Sequence, residues 1–264
     1  MSPDPKRLMR ALALSSLLVL AASAAWAEDE EGGNPDWFPG AFSANVNMAN
    51  DYPFRGISQT NNRAAIQGGI DWAYDIIEPV GIYAGGWASN VDFGDGDQAQ
   101  TEFDIYGGVA GSVGMFSYDL MAIWYEYPGA KESLDYDFFE IGPTLGLDFG
   151  VASLSGTYLW SPDYFASSDD SHYVAGTVEV PVPESVLPAW LGLSFSSTLG
   201  AQYIQDEAAF GARDYVLFDV GGTISAFGLD VDLRFHDTDL NRSTCFGGTD
   251  LCDSRFVVGV SKSF

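Results

Sequence analysis

The closing stretch Phe256-Val257-Val258-Gly259-Val260-Ser261-Lys262-Ser263-Phe264 decides how this chain is read. Chain ends are usually frayed and polar. This one alternates: Phe256, Val258, Val260 and Phe264 fall on one face, and Val257, Gly259, Ser261 and Ser263 on the other. Successive strand side chains point to opposite faces, so the pattern is that of a strand with one apolar side. Lys262 interrupts the apolar face next to the end. A last strand of this kind needs a first strand to pair with. If the two close a barrel, the chain between them must supply an even series of antiparallel strands.

The same alternation recurs all the way back. Leu229, Val231, Leu233 and Phe235 oppose Asp230, Asp232, Arg234 and His236, while Val216, Phe218, Val220 and Ile224 oppose Asp219 and Thr223. Leu191, Leu193, Phe195 and Leu199 lie opposite Ser194, Ser196 and Gln202, and Val174, Val178 and Val180 opposite Thr177 and Glu179. Leu154, Tyr158 and Trp160 alternate with Ser153, Ser155 and Thr157. The clearest case sets Phe139, Ile141, Pro143, Leu145, Leu147 and Phe149 against Glu140, Thr144 and Asp148. Pro143 brings no backbone donor, so the ladder should be defective there.

Phe116 to Tyr127 is mostly apolar, with Glu126 expected to point inward. Phe103, Ile105 and Val109 oppose Glu102 and Asp104; Tyr83, Trp87, Val91 and Phe93 oppose Asn90 and Asp92; Ile66, Ile70, Trp72 and Tyr74 oppose Gln67 and Asp71. The first strand is expected to run from Phe42 to Arg55, with Phe42, Ala44, Val46, Met48, Tyr52 and Phe54 on its apolar face and Asp51 and Arg55 on the other. That makes twelve strands.

Connection lengths alternate too. The odd connections, Gly56 to Arg63, Gly94 to Gln100, Pro128 to Asp137, Ser161 to Ser171, Gln205 to Arg213 and Asp237 to Asp253, are long. The even ones, near Ile76 to Pro79, Ala110 to Gly114, Gly150 and Ala226 to Gly228, are short, Pro181 to Pro188 being the exception. Transmembrane barrels have short periplasmic turns and longer external loops, so the two termini belong on the periplasmic side.

At the other end, Lys6, Arg7 and Arg10 precede an apolar run from Ala11 to Ala22 and the small-residue site Ala25-Trp26-Ala27. This is the pattern of a secretory signal peptide, expected to be cleaved after Ala27. The run is shorter than the roughly 20 residues a spanning helix needs, and no later segment offers such a span. Glu28 to Gly40 reads as a flexible acidic lead-in, which leaves residues 41–264 for the barrel. The formal charge of −26 excludes nucleic acid as a partner, since a polyanion would be repelled. Cys245 and Cys252 are the only two cysteines. In an oxidising compartment a lone close pair points to a disulfide, and zinc would want further ligands. No metal or cofactor is expected.

A soluble all-β sandwich also alternates. Girdle placement favours the membrane barrel: Trp72, Tyr74, Tyr125, Tyr127, Tyr158, Trp160, Trp190 and Tyr203 all lie near proposed strand ends, as interfacial aromatics do. The fold class expected is therefore an all-β, antiparallel, up-and-down transmembrane barrel of about twelve strands.

Asn50 to Thr60 reads Asn-Asp-Tyr-Pro-Phe-Arg-Gly-Ile-Ser-Gln-Thr, which resembles the signature of the TorF-family porins of proteobacteria. Gly81 to Gly85 with Trp87 to Phe93 is a second specific match, and the acidic Glu102 strand, Tyr127 to Gly129, Ser161 to Phe165, Asp237 to Asp239, the cysteine pair and the ending Ser261 to Phe264 support it. Pro53 departs from the basic residue expected in relatives. The resemblance covers about Phe42 to Phe264 and implies an outer-membrane porin-like barrel. The aromatic Phe264 resembles the signal by which barrel proteins are recognised for assembly, so outer-membrane lipid, lipopolysaccharide and the assembly machinery are expected partners.

Asp51, Arg55, Asp71, Asp92, Glu102, Asp104, Glu126, Glu140, Asp148, Glu179, Asp219, Asp230, Asp232, Arg234 and Arg255 are expected to face the lumen. Closed plugs approach charge balance because unpaired buried carboxylates are costly, so this acidic excess points to a hydrated lumen. Small polar solutes or ions would pass, cations before anions. Arg55 and Arg234 either form a transverse field with these acids or simply neutralise neighbouring carboxylates. Competing readings are a closed structural or adhesive surface barrel and an outer-membrane hydrolase. The latter lacks a motif: Ser171 and His172 are neighbours on a strand and point to opposite faces, and His236 stands before Asp237. The external acids Asp95, Asp97, Asp169, Asp170, Asp237 and Asp239 show no full calcium spacing.

Overall fold

The computed structural model describes Pro39 to Phe264, apart from Asp95, Asp97 and Gln98. The expected leader and most of the acidic lead-in lie outside the described residues, as do two of the loop acids. Among the described residues fourteen strands occur in chain order: β1 (Ala41–Ala49), β2 (Pro53–Phe54), β3 (Ile57–Ser58), β4 (Ala65–Ile77), β5 (Val80–Asn90), β6 (Thr101–Val113) and β7 (Phe116–Glu126), then β8 (Phe138–Asp148), β9 (Ser153–Ser161), β10 (Ser171–Pro181), β11 (Leu191–Ile204), β12 (Tyr215–Ala226), β13 (Leu229–Thr238) and β14 (Arg255–Ser263). β1 and β4 to β14 form one closed antiparallel barrel of twelve strands, and β2 with β3 forms a separate two-stranded piece. Among the described residues no helix is long and apolar enough to cross a membrane.

Closure falls where the terminal alternation requires it. β1 pairs with β14 from Asn45 opposite Ser263 to Ala49 opposite Gly259. Phe264 extends the seam, its N–H donating to the Ala44 carbonyl at 2.9 Å and its carbonyl accepting from the Ala44 N–H at 3.2 Å. Two-residue turns at Glu78-Pro79, Gly114-Met115 and Phe227-Gly228 contrast with the long connections at the other rim, and Val182 to Trp190 is again the exception.

The outer face carries the apolar set. Val46, Met48, Ile66, Ile70, Leu199 and Phe256 are each more than half exposed, and similar side chains surround the whole cylinder. Soluble monomers rarely expose apolar patches beyond a few hundred Å², so this band fits a lipid environment rather than water. Trp160 and Tyr203 mark one rim on the outside, and Tyr74 and Trp190 the other. Lys262 stays on the outer row, its ammonium 5.0 Å from the centre of the Phe264 ring.

Several expectations need correction. β1 stops at Ala49 instead of reaching Arg55. β5 is inverted: Tyr83, Trp87 and Val91 are buried inside, while Asn90 lies on the outer row. Tyr125 and Tyr127 are likewise buried and are not girdle residues. On β7 the inward row is Ser117, Asp119, Met121, Ile123 and Tyr125, which puts Glu126 on the outer row with Trp124. Two of the inward rings pack on the folded segment that the lumen holds, Trp87 against Tyr52 at 5.5 Å and Tyr125 against Phe54 at 5.9 Å. The expected ladder defect at Pro143 is present, since β8 and β9 pair at Ile141 and again at Thr144 but not between.

Candidate functional site: the lumen and its infolded segment

Leaving β1, the chain turns inward at Asn50. Its side chain takes over the ladder to β14, donating to the Phe256 carbonyl at 3.1 Å and accepting from the Val258 N–H at 2.6 Å. Pro53 follows, and then Arg55 and Gly56 adopt left-handed backbone at φ 49° and 83°. That conformation suits glycine and is uncommon for other residues, so it makes the tight reversal between β2 and β3. At Gly56 an added Cβ would stand 2.6 Å from the Thr238 methyl on β13, so only glycine lets the tip approach that wall.

Side chains then tie the segment to the wall around the bore. Tyr52 is fully buried, packs edge-on to Trp87 of β5 at 5.5 Å, and donates its hydroxyl to Glu102 of β6 at 2.5 Å. Arg55 donates to Glu140 of β8 and to Gln202 of β11, each at 2.6 Å. Its guanidinium also lies 4.1 Å from the Tyr173 ring centre on β10 and 4.7 Å from that of Phe54. Tyr125 of β7 donates a further bond to Glu140 at 3.0 Å. Asp51 accepts from Arg255 of β14 at 2.7 Å, from Ser58 at 2.6 Å and from Thr60 at 2.8 Å.

Toward the rim with the short turns, Arg234 gathers Asp219 at 2.5 Å, Asp232 at 3.1 Å and Ser196 at 2.8 Å. Glu179 is buried on the same side, within the field of Arg234. Asp230 accepts from Ser225, and Asp71 from the Tyr106 hydroxyl. Asp119 accepts from Tyr83 at 2.9 Å. Asp104 is fully buried and neither of its carboxylate oxygens has a partner among the described residues.

Of the sequence-derived lumen residues, Arg55, Glu102 and Glu140 meet at the infolded segment, and Asp219, Asp232 and Arg234 meet below it. Two do not belong to the bore. Asp92 stands beyond the end of β5 and pairs with the exposed Arg63 at 3.0 Å. Glu126 is on the outer row. Asp148 stays on the inward row of β8 at its rim end, where it also accepts from the Gly150 N–H at 2.7 Å. The acidic excess is moderated less by bases than by tyrosine, serine and threonine hydroxyls. Tyr52, Tyr83, Tyr106, Asp119, Tyr125 and Gln202 were not legible as site residues.

Above the segment the long loops interlock through Phe93, Tyr136 and Phe165, with Phe93 and Phe165 edge-on at 5.4 Å and Tyr136 and Phe165 stacked at 4.3 Å. Phe210 joins them to Phe246 at 5.3 Å. Phe246 follows Cys245, which is bonded to Cys252 with an S–S length of 2.07 Å. Arg242 and Asp253 flank that bridge at 2.7 Å, and the hydrogen bond to Asp253 holds the exposed guanidinium above its ordinary pKa. Among the described residues no His, Cys, Asp or Glu set is arranged to hold a metal ion.

Solved structures share the architecture. A membrane protein from work on in-meso crystallization aligns at TM-score 0.51 with 11% identity, over 84% of this chain and 83% of that one. The NanC porin aligns at 0.50 with 8% identity, over 84% and 99%. A COG4313 outer membrane channel from Pseudomonas putida F1 aligns at 0.49 with 10% identity, over 90% and 100%. At these identities the likeness is one of fold. No curated protein matches the chain. A family model does match, over residues 36–264, and the chain therefore belongs to the family described as bacterial protein of unknown function (Gcw_chp).

Proposed function

We propose that this protein is an outer-membrane, porin-like channel through which small polar solutes or ions diffuse, cations in preference to anions. The observation that carries this reading is the sign of the inner wall. Asp71, Glu102, Asp104, Asp119, Glu140, Glu179, Asp219, Asp230 and Asp232 line it, against Arg234 and the segment's own Arg55. A bore with that excess concentrates cations, as rings of Asp and Glu do in cation channels. The TorF-type signature at Asn50 to Thr60 supports the porin reading, because that signature forms the infolded segment. Arg55 and Arg234 act here as neutralising partners of their carboxylates.

The leader ending at Ala27 would carry the chain to export, and Phe264 would present the closing strand to the assembly machinery. Lipid and lipopolysaccharide would then surround the outer face. A second reading, a closed structural or adhesive surface barrel, is favoured by the way Asn50 to Thr60 crosses the bore. Single-channel recording in a planar bilayer under a salt gradient separates the two. Conductance with a cation-selective reversal potential is expected; anion selectivity, or absence of conductance both in the native protein and after Arg55→Ala, overturns the proposal.

A further inference from the structure

We propose that Asn50 to Thr60 is a displaceable gate and that Arg55 is its latch, a reading that rests on the channel function proposed above. The segment has a rigid root and a tip held by side chains. At the root, Ser58 donates its N–H to the Leu251 carbonyl at 2.9 Å, Gln59 accepts from the Asp92 N–H at 2.7 Å, and Arg255 holds Asp51 at 2.7 Å. These anchors lie at the external rim beside β14 and β5. The tip, Pro53 to Gly56, reaches the far side of the bore, where Arg55 grips Glu140 on β8 and Gln202 on β11. The ladders on both sides of the segment, β1 with β14 and β1 with β4, are complete to Ala49. Lifting the tip therefore leaves the cylinder intact.

The contact beneath the tip is poorly satisfied. Buried polar atoms in folded proteins are nearly always hydrogen-bonded, and unpaired charged ones are the most unfavourable. Of the seven buried side-chain oxygens and nitrogens without a partner among the described residues, four are both carboxylate oxygens of Asp104, Oε1 of Glu140 and Nε2 of Gln202. Glu140 and Gln202 are the residues that Arg55 grips. Asp104 lies on β6 two residues from Glu102, the partner of Tyr52, and pairs across the sheet with Trp87, against which Tyr52 packs. Withdrawing the tip would admit water to these groups. A permanent constriction gains nothing from leaving them without protein partners, whereas a gate gains a closed state that one ion pair can tip. Arg55 holds it shut and the unpaired carboxylate oxygens favour opening.

The test uses a reporter that needs no conductance. Cys245 and Cys252 are bonded to each other, so Ile57→Cys, at a position only 4% exposed, supplies one reactive thiol for a membrane-impermeant maleimide. In the full-length protein reconstituted in lipid, Arg55→Ala and, independently on the wall, Glu140→Gln should each speed labelling by at least about tenfold, the change expected when opening loses a charge-assisted hydrogen bond. Asp104→Asn should slow it. Folding of every variant is checked by heat-modifiable gel migration. Labelling that stays within twofold in both folded latch variants overturns the gate. Faster labelling with higher channel open probability supports both proposals; faster labelling with no conductance in any variant supports a movable segment and overturns the channel reading.

Discussion

Two buried arginines in this barrel hold carboxylates at nearly the same distance and on opposite kinds of backbone. Arg234 sits within β13 and meets Asp219 at 2.5 Å; Arg55 sits on the infolded segment and meets Glu140 at 2.6 Å. Arg234 is fixed by a ladder that pairs its residue with Gly221 on one side and Val257 on the other. Arg55 is placed by a two-stranded turn and by what its own side chain can reach. The same ion pair is therefore part of the wall in one region and a removable contact in the other.

Removing each arginine should separate the regions most clearly. Arg234→Ala strands a buried carboxylate that cannot leave the wall, at a stability loss of about 3–5 kcal/mol. Arg55→Ala should lower the barrel's unfolding free energy by only about 1.5–2 kcal/mol, the worth of the released charge-assisted bond, since the tip can lift and Glu140 can hydrate. Urea unfolding in lipid vesicles, followed by tryptophan fluorescence, measures both; equal losses would erase the distinction between wall and segment.

Cys252→Ser comes next. Opening a short loop between Cys245 and Cys252 should cost about 2–3 kcal/mol in the chain-entropy model and loosen the Phe246 contact above the segment. The same unfolding measurement under non-reducing conditions checks it. Truncation after Ser263 removes two backbone bonds to Ala44, about 1 kcal/mol each, and takes away the aromatic end of the seam. The expected result is a markedly lower yield of folded barrel on gel migration. Lys262→Leu should be the mildest, within about 0–1 kcal/mol, if the charge lies near the periplasmic interface where it is tolerated. A loss as large as a midplane charge would show that the seam sits deeper in the bilayer.

The strand count, the closure of β1 on β14, the alternation of turn lengths and the Cys245 to Cys252 bond were all legible, because each follows from local pattern. Strand periodicity needs only neighbours two apart. The infolded segment shows where that local pattern ends. Tyr52 and Phe54 continue the alternation of Phe42 to Met48 without a break, yet the chain has already left the sheet at Asn50. Trp87 and Tyr83 carry the same ambiguity, since an aromatic ring suits a lipid face and a packed lumen equally well. Asp119 stayed hidden in an apolar strand whose facing the sequence leaves open, and Tyr125 passed for a rim residue.

By itself, the sequence determined a twelve-strand cylinder with an apolar outside, an acidic inside and one disulfide-bonded loop. Only the tertiary structure decided what fills the inside. Tyr52 finds Glu102 fifty residues away, and Arg55 finds Gln202 at a separation of 147, once closure has brought opposite walls within reach of one segment. Alternation records which side of the sheet a residue faces. Which partner it meets across the bore depends on the curvature of the closed barrel, and no local pattern encodes that.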